Sequence, residues 1–163
     1  MKATENPSIA KPAVDLATVF SRETIVTIPP YAQKSEVLAS LVKSLARAEW
    51  FPWENAAGIV HALLERERYG TTGLGKGLAL PHLRCREIGD FVGAIGVAPN
   101  GIDFHSLDGL PTRLIILLLS PFDQRAKHTE VMGRLATLLS DKTLQYSVQL
   151  PRSPEALFRF LGF

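Results

Sequence analysis

The chain is 163 residues long, 46% apolar and 21% charged, with a formal net charge of +2. That length and apolar content suit one domain with a sizeable core and argue against disorder, and so small a charge with no long basic run excludes an obvious nucleic-acid partner. A single cysteine excludes an internal disulfide framework, as expected in a reducing cytoplasm, and the longest aliphatic run, Leu114 to Leu119, is too short to span a membrane. The N-terminus has no apolar signal-peptide core, so the expectation is a soluble, cytoplasmic protein.

Residues 1–14 read as a flexible polar arm, and 15–163 as the folded domain. Leu16, Val19 and Phe20 predict a short helix, and Ile25 to Ile28 a strand ended by Pro29-Pro30. From Ser35, read as a cap, to Ala48, apolar residues recur at helical spacing. A second helix opens at Phe51-Pro52-Trp53 and places Ile59, Leu63 and Arg66 near one face. Arg66 thus continues a core stripe, where its guanidinium needs an anion, a carbonyl or water, unless it snorkels to the surface.

The segment from Arg66 to His82 leads from that helix end through a glycine-rich loop into the apolar run Leu78-Ala79-Leu80, which stops at Pro81-His82. Proline lacks a ladder N–H and marks a strand end or edge. One imidazole beside a loop rich in N–H groups suits an anion such as a phosphoryl group, although a lone histidine is commonly structural. Phe91 to Ala98 predicts another strand, Asn100-Gly101 a turn, and Leu114 to Leu119, apolar on both faces, a central strand ended by Ser120-Pro121. A helix over 127–139 carries His128, Val131, Met132, Leu135, Leu138 and Leu139 on one stripe. His128 falls in its first turn, where the helix dipole favours a neutral ring; a packed histidine bonded to a carbonyl is the alternative. A helix from Leu144 and another capped by Ser153-Pro154 complete an α/β domain, one mixed β-sheet with helices packed on both faces.

Other constellations are weak. His61, His82, His105 and His128 form no close pairing, so no metal is expected; His61 is read as solvent-facing and His105 as a turn residue at the edge of a cleft. Gly73-Leu74-Gly75-Lys76-Gly77 lacks the frames of nucleotide loops. Cys85, between Arg84 and Arg86, either has a depressed thiol pKa or is unreactive. No serine-hydrolase elbow occurs.

Taken together, the Arg66 to His82 block, Gly101-Ile102-Asp103-Phe104, Asp108-Gly109-Leu110-Pro111 and Leu118-Leu119-Ser120-Pro121 leading to His128 resemble the enzyme IIA domain of the fructose/mannitol class of the bacterial sugar phosphotransferase system. Ser140 to Thr143 and the closing helix are most similar to its nitrogen-regulatory branch. The resemblance implies that His82 accepts a phosphoryl group from the histidine phosphocarrier protein, with Arg66 and His128 lining the site. Thr72, Gly73, Gly75 and Gly77 would supply a phosphate loop, and no cofactor is implied. The next partner would be a separate IIB protein or a regulatory target such as a transporter or sensor kinase. Leu83 departs from the small residue usual after the histidine, so altered access to the ring, or a binding module that does not transfer, stays open.

Overall fold

The computed structural model describes residues 13–150 and 153–163; the expected arm over 1–14 lies outside the described residues apart from its last two positions. After a single helical turn, α1 (Leu16–Val19), β1 (Ile25–Thr27) leads into α2 (Lys34–Arg47) and α3 (Ala56–Arg68). Four strands lie between α3 and the longest strands' end: β2 (Gly73–Gly75), β3 (Leu78–Ala79), β4 (His82–Cys85) and β5 (Val92–Ile102), followed by β6 (Thr112–Pro121). Helices α4 (Arg125–Leu139), α5 (Lys142–Ser147) and α6 (Pro154–Leu161) close the chain. The strands form one six-stranded mixed sheet in the order β1-β5-β6-β3-β2, with β4 also paired to β6. Among the described residues, no helix is long and apolar enough to cross a membrane.

Alternation in β6 explains the layers. Ile115, Leu117 and Leu119 face the core under α2 and α3, whereas Leu114, Ile116 and Leu118 face the core shared with α4 and α6. A strand buried on both faces must be apolar throughout, and β6, like its neighbour β5, contributes side chains to both cores. The predicted mixed sheet with helices on both faces is therefore the observed fold.

Two local expectations are corrected. The α2 helix begins at Lys34, with Gln33 as its cap residue and the Glu36 carboxylate accepting the Gln33 N–H at 2.7 Å; Ser35 lies inside the first turn. The main chain at Asn100-Gly101 does not leave the sheet: β5 continues to Ile102, and Gly101, at φ 73°, takes up a register irregularity against β6. A Cβ there would stand 2.7 Å from Pro111, so packing and conformation both call for glycine. Pro81 follows the end of β3, as expected of a strand-end proline, and β4 resumes directly after it. Leu78 faces Leu114 and His82 faces Leu118, so both strands advance by four residues and β3 and β4 keep one register on β6. The Pro81 carbonyl still accepts the Leu118 N–H at 3.0 Å, and the N–H that proline lacks is a ladder bond missing from that same, β6-facing side.

Gly93, near the start of β5, lets the Phe20 ring lie against the sheet: a Cβ would meet that ring at 2.1 Å and the Leu117 carbonyl at 2.7 Å. Gly93→Ala is expected to destabilise the fold by about 1–3 kcal/mol, the usual cost of overpacking a core, read from the urea midpoint at constant m.

Candidate functional site

His82 opens β4 at the place where the sheet loses its outer strand. β2 pairs only with β3, so among the described residues β4 has β6 on one side and no strand on the other. The Nδ1 atom of His82 lies 2.8 Å from the carbonyl oxygen of Leu80, two residues back. A neutral ring making that bond carries its proton on Nδ1, and its lone pair is then on Nε2. The ring is half-buried, and desolvation holds its pKa below the ordinary imidazole value; the Arg66 charge pushes the same way, against the Leu80 carbonyl and Glu67.

His128 stands across from it, with ring centroids 5.8 Å apart and planes inclined by 41°. Its Nδ1 is hydrogen-bonded to the hydroxyl of Ser120, a fully buried residue near the end of β6. The helix begins two residues earlier than predicted, at Arg125, so the His128 N–H already bonds the Gln124 carbonyl at 2.9 Å. Helix position is therefore not the main cause of the ring's neutrality. Burial, then the neighbouring His82 and Arg84, lower its pKa to about 4.

Arg66 departs from the predicted stripe. Ile59 and Leu63 are buried, but α3 runs past the edge of the core and Arg66 is only half-buried. Its guanidinium donates to the Gly70 carbonyl at 2.9 Å, and among the described residues no carboxylate lies within ion-pair distance of it. It is close enough to His82 to shift that ring's titration.

The glycine loop divides in two. The Thr72 carbonyl accepts the Leu80 N–H at 3.0 Å, so Thr72 sits beside the site. Its own N–H and hydroxyl both go to Glu67, however, and the Gly73 N–H goes to the Thr71 hydroxyl. Gly75 and Gly77 form the far tip of the β2–β3 hairpin, level with Leu78 and therefore about 13 Å along the strand from His82 at ~3.3 Å per residue. The Lys76 N–H between them is taken by the Asp108 carboxylate at 2.7 Å. That bond and the one from the Leu110 N–H hold Asp108 below the usual carboxylate range. These glycines make room for other chain: Cβ atoms at 73, 75 and 77 would collide with Ser106, Asp108 and Gln149. The structure does not bring Gly75 and Gly77 to the histidine.

Leu83 points away from the imidazole. Strand alternation turns it, with Cys85, into the core beside α3, so it does not screen the ring. Cys85 is buried, and burial together with Glu87 raises its thiol pKa to about 12, which removes the reactive alternative. His61 is exposed, as predicted. His105 is exposed in a left-handed backbone conformation, 3.9 Å from the Asp103 carboxylate, and lies with Tyr31 and Lys34 on another pocket.

Sequence reasoning missed Ser120, Glu67 and Lys34. Glu67 accepts Lys34 Nζ at 2.7 Å, and the two side chains are only 7% and 12% exposed. One signal was readable: Lys34 in a first helical turn and Glu67 in a last turn each oppose their own helix dipole, and such misplaced charges call for a partner elsewhere. For Ser120 there was no such signal.

A mixed-sheet α/β domain that presents a neutral histidine at a broken sheet edge, opposite a second neutral histidine, defines a class, and comparison names it. Residues 18–162 match the model of the phosphoenolpyruvate-dependent sugar phosphotransferase system EIIA 2 family, and the chain belongs to that family. Within it, the chain is 31% identical over 147 residues to the nitrogen regulatory protein of Bradyrhizobium diazoefficiens, covering 90% of this chain and 94% of that one. It is 30% identical to the fructose-specific EIIA component of Haloferax volcanii, over 77% and 80% of the two chains. The crystal structure of nitrogen regulatory protein IIA-Ntr from Neisseria meningitidis superposes with a TM-score of 0.77 at 27% identity, over 90% of this chain and 98% of that one.

The lowered histidine pKa has a consequence for stability. His128 titrates near 4 when folded against 6.5 ordinarily, so the unfolded chain binds the extra proton. Stability is whole above about pH 6.5 and is lost as pH falls toward 4. The urea midpoint is expected to fall over that window more in wild type than in His128→Gln, and NMR titration of the ring should show its midpoint near the lower limit.

Proposed function

We propose that the chain is a phosphoryl carrier in which Nε2 of His82 accepts a phosphoryl group from the histidine phosphocarrier protein and passes it to, or displays it before, a partner. The observation that carries this reading is the bond from His82 Nδ1 to the Leu80 carbonyl at 2.8 Å, which orients a neutral ring with one nitrogen free. As the lone pair of Nε2 forms its bond to phosphorus, the bond from phosphorus to the donor's nitrogen breaks, and Nδ1 keeps its proton on Leu80. No base is needed to remove a proton, because none leaves the nucleophile.

The neighbouring groups suit the charge that gathers on the phosphoryl oxygens. Arg66 contributes a fixed positive charge and N–H donors in addition to the one spent on Gly70. When the Ser120 hydroxyl donates to His128 Nδ1, the ring proton of His128 is on Nε2 and available to a phosphoryl oxygen. Thr72 belongs to the supporting structure, since Glu67 takes both of its donors.

The nitrogen regulatory relatives favour a regulatory carrier, whose partners distinguish the phosphorylated from the unmodified form by the dianion added at the sheet edge. A second reading, donation to a separate IIB protein, is favoured by the fructose-specific relative. It is also supported by the fold shared with the mannitol-specific IIA of Escherichia coli, which has been solved with its phosphorylated IIB at a TM-score of 0.68 and 20% identity to this chain.

Incubation with phosphoenolpyruvate, enzyme I and histidine phosphocarrier is expected to add one phosphoryl group to wild type and none to His82→Ala, by intact mass at neutral or basic pH. Arg66→Ala should slow the gain on the order of a hundredfold, comparable to losing one charge-stabilising donor. Unchanged labelling of His82→Ala would refute the assignment.

A further inference from the structure

Thr72, just before β2, and Leu80, just after β3, lie opposite each other in the continued register of the two strands. In a regular antiparallel ladder, such a pair exchanges two hydrogen bonds, N–H to carbonyl in both directions. Here only one is made, from the Leu80 N–H to the Thr72 carbonyl at 3.0 Å. The Thr72 N–H turns instead to Oε2 of Glu67 at 3.1 Å, and its hydroxyl donates to Oε1. The Leu80 carbonyl, deprived of its ladder donor, accepts Nδ1 of His82.

We infer that Glu67 is a positioning residue for His82: by drawing the Thr72 N–H out of the sheet, it frees the carbonyl that selects the ring's tautomer and hence its nucleophilic nitrogen. Glu67 can do this because it is itself fixed. Lys34 Nζ holds it at 2.7 Å, donates to the Thr71 hydroxyl at 3.2 Å and lies 4.6 Å from the centre of the Phe104 ring. Thr71 in turn donates to the Phe104 carbonyl at 3.1 Å. The carboxylate thus reaches one backbone N–H from a site with almost no freedom. Without it, that N–H would compete for the Leu80 carbonyl, closing the ladder by one more bond and leaving the imidazole to choose either nitrogen. Buried hydrogen-bond partners behind a reactive histidine commonly act in this way, by setting its tautomer and orientation.

The role in transfer rests on His82 being the acceptor, whereas the tautomer does not, and the test separates them. Two double variants, Lys34→Met/Glu67→Gln and Lys34→Met/Glu67→Leu, both remove the ion pair without leaving a buried charge unpaired. They differ in whether residue 67 can still accept the Thr72 N–H. Two-bond proton–nitrogen correlation spectra of histidine-labelled protein, taken above pH 7, report the tautomer of His82. Wild type and the Gln variant are expected to hold the Nδ1–H form, and the Leu variant to shift toward Nε2–H and to accept phosphoryl groups at least about tenfold more slowly than the Gln variant. Equal tautomers in the two double variants would overturn the inference. A tautomer shift in protein that never gains a phosphoryl group, wild type included, would sustain it and refute the carrier assignment instead.

Discussion

Residues 78–85 keep one register against β6 while their outer side loses its partner strand at Leu80, and the geometry of the site follows from that combination. A paired strand has no carbonyl to spare for a side chain, and an unpaired one lacks the rigidity to aim an imidazole. Holding one edge to a buried central strand while the other edge opens satisfies both requirements. Proline at the break gives up one inward ladder bond, because its carbonyl reaches β6 but its nitrogen has no proton to donate. His82 is thereby fixed along the backbone and open to solvent on one side.

Two helices from opposite faces of the sheet complete the opening. The end of α3 brings Arg66 and Glu67, and the start of α4 brings His128. Their effects on His82 differ in sign: Arg66 favours the neutral ring and Glu67 the charged one, but desolvation outweighs both. Two imidazoles 5.8 Å apart also discourage each other's protonation, as the influence of His82 on His128 shows. A neutral pair flanked by an arginine that has no carboxylate partner among the described residues is arranged to receive negative charge. Nearby, Arg84 and Arg86 stack on the exposed Phe122 ring and extend the positive rim.

Much of the fold was legible. The apolar run in β6, the amphipathic patterns of α2 and α4, and the proline and serine at the start of α6 each reflect a local rule, and each element stands close to where those rules put it. The glycine-rich segment was misread in its purpose. Its glycines resemble an anion cradle in sequence, but their free side is occupied by Ser106, Asp108 and Gln149, residues 30 or more positions away that no local pattern could place there. Leu83 was suspected for its size, yet the direction of a strand side chain depends on the register with β6, and that register turns it into the core.

The sequence by itself determined the helices and the strands β1, β3, β5 and β6, that β6 would be central, and that a histidine would stand where an apolar run meets proline, but not the strands β2 and β4. Those features depend on neighbours within a few residues: side-chain periodicity, proline's missing donor, and the need to bury a strand apolar on both faces. Tertiary structure decided the rest. It paired Lys34 with Glu67, placed Ser120 behind His128, and left the Leu80 carbonyl free for one nitrogen of His82. The first two are directional bonds between separate elements, and the third, although it joins residues two apart, depends on the Thr72 N–H being drawn to Glu67; each needs distances that only the packed sheet and helices set.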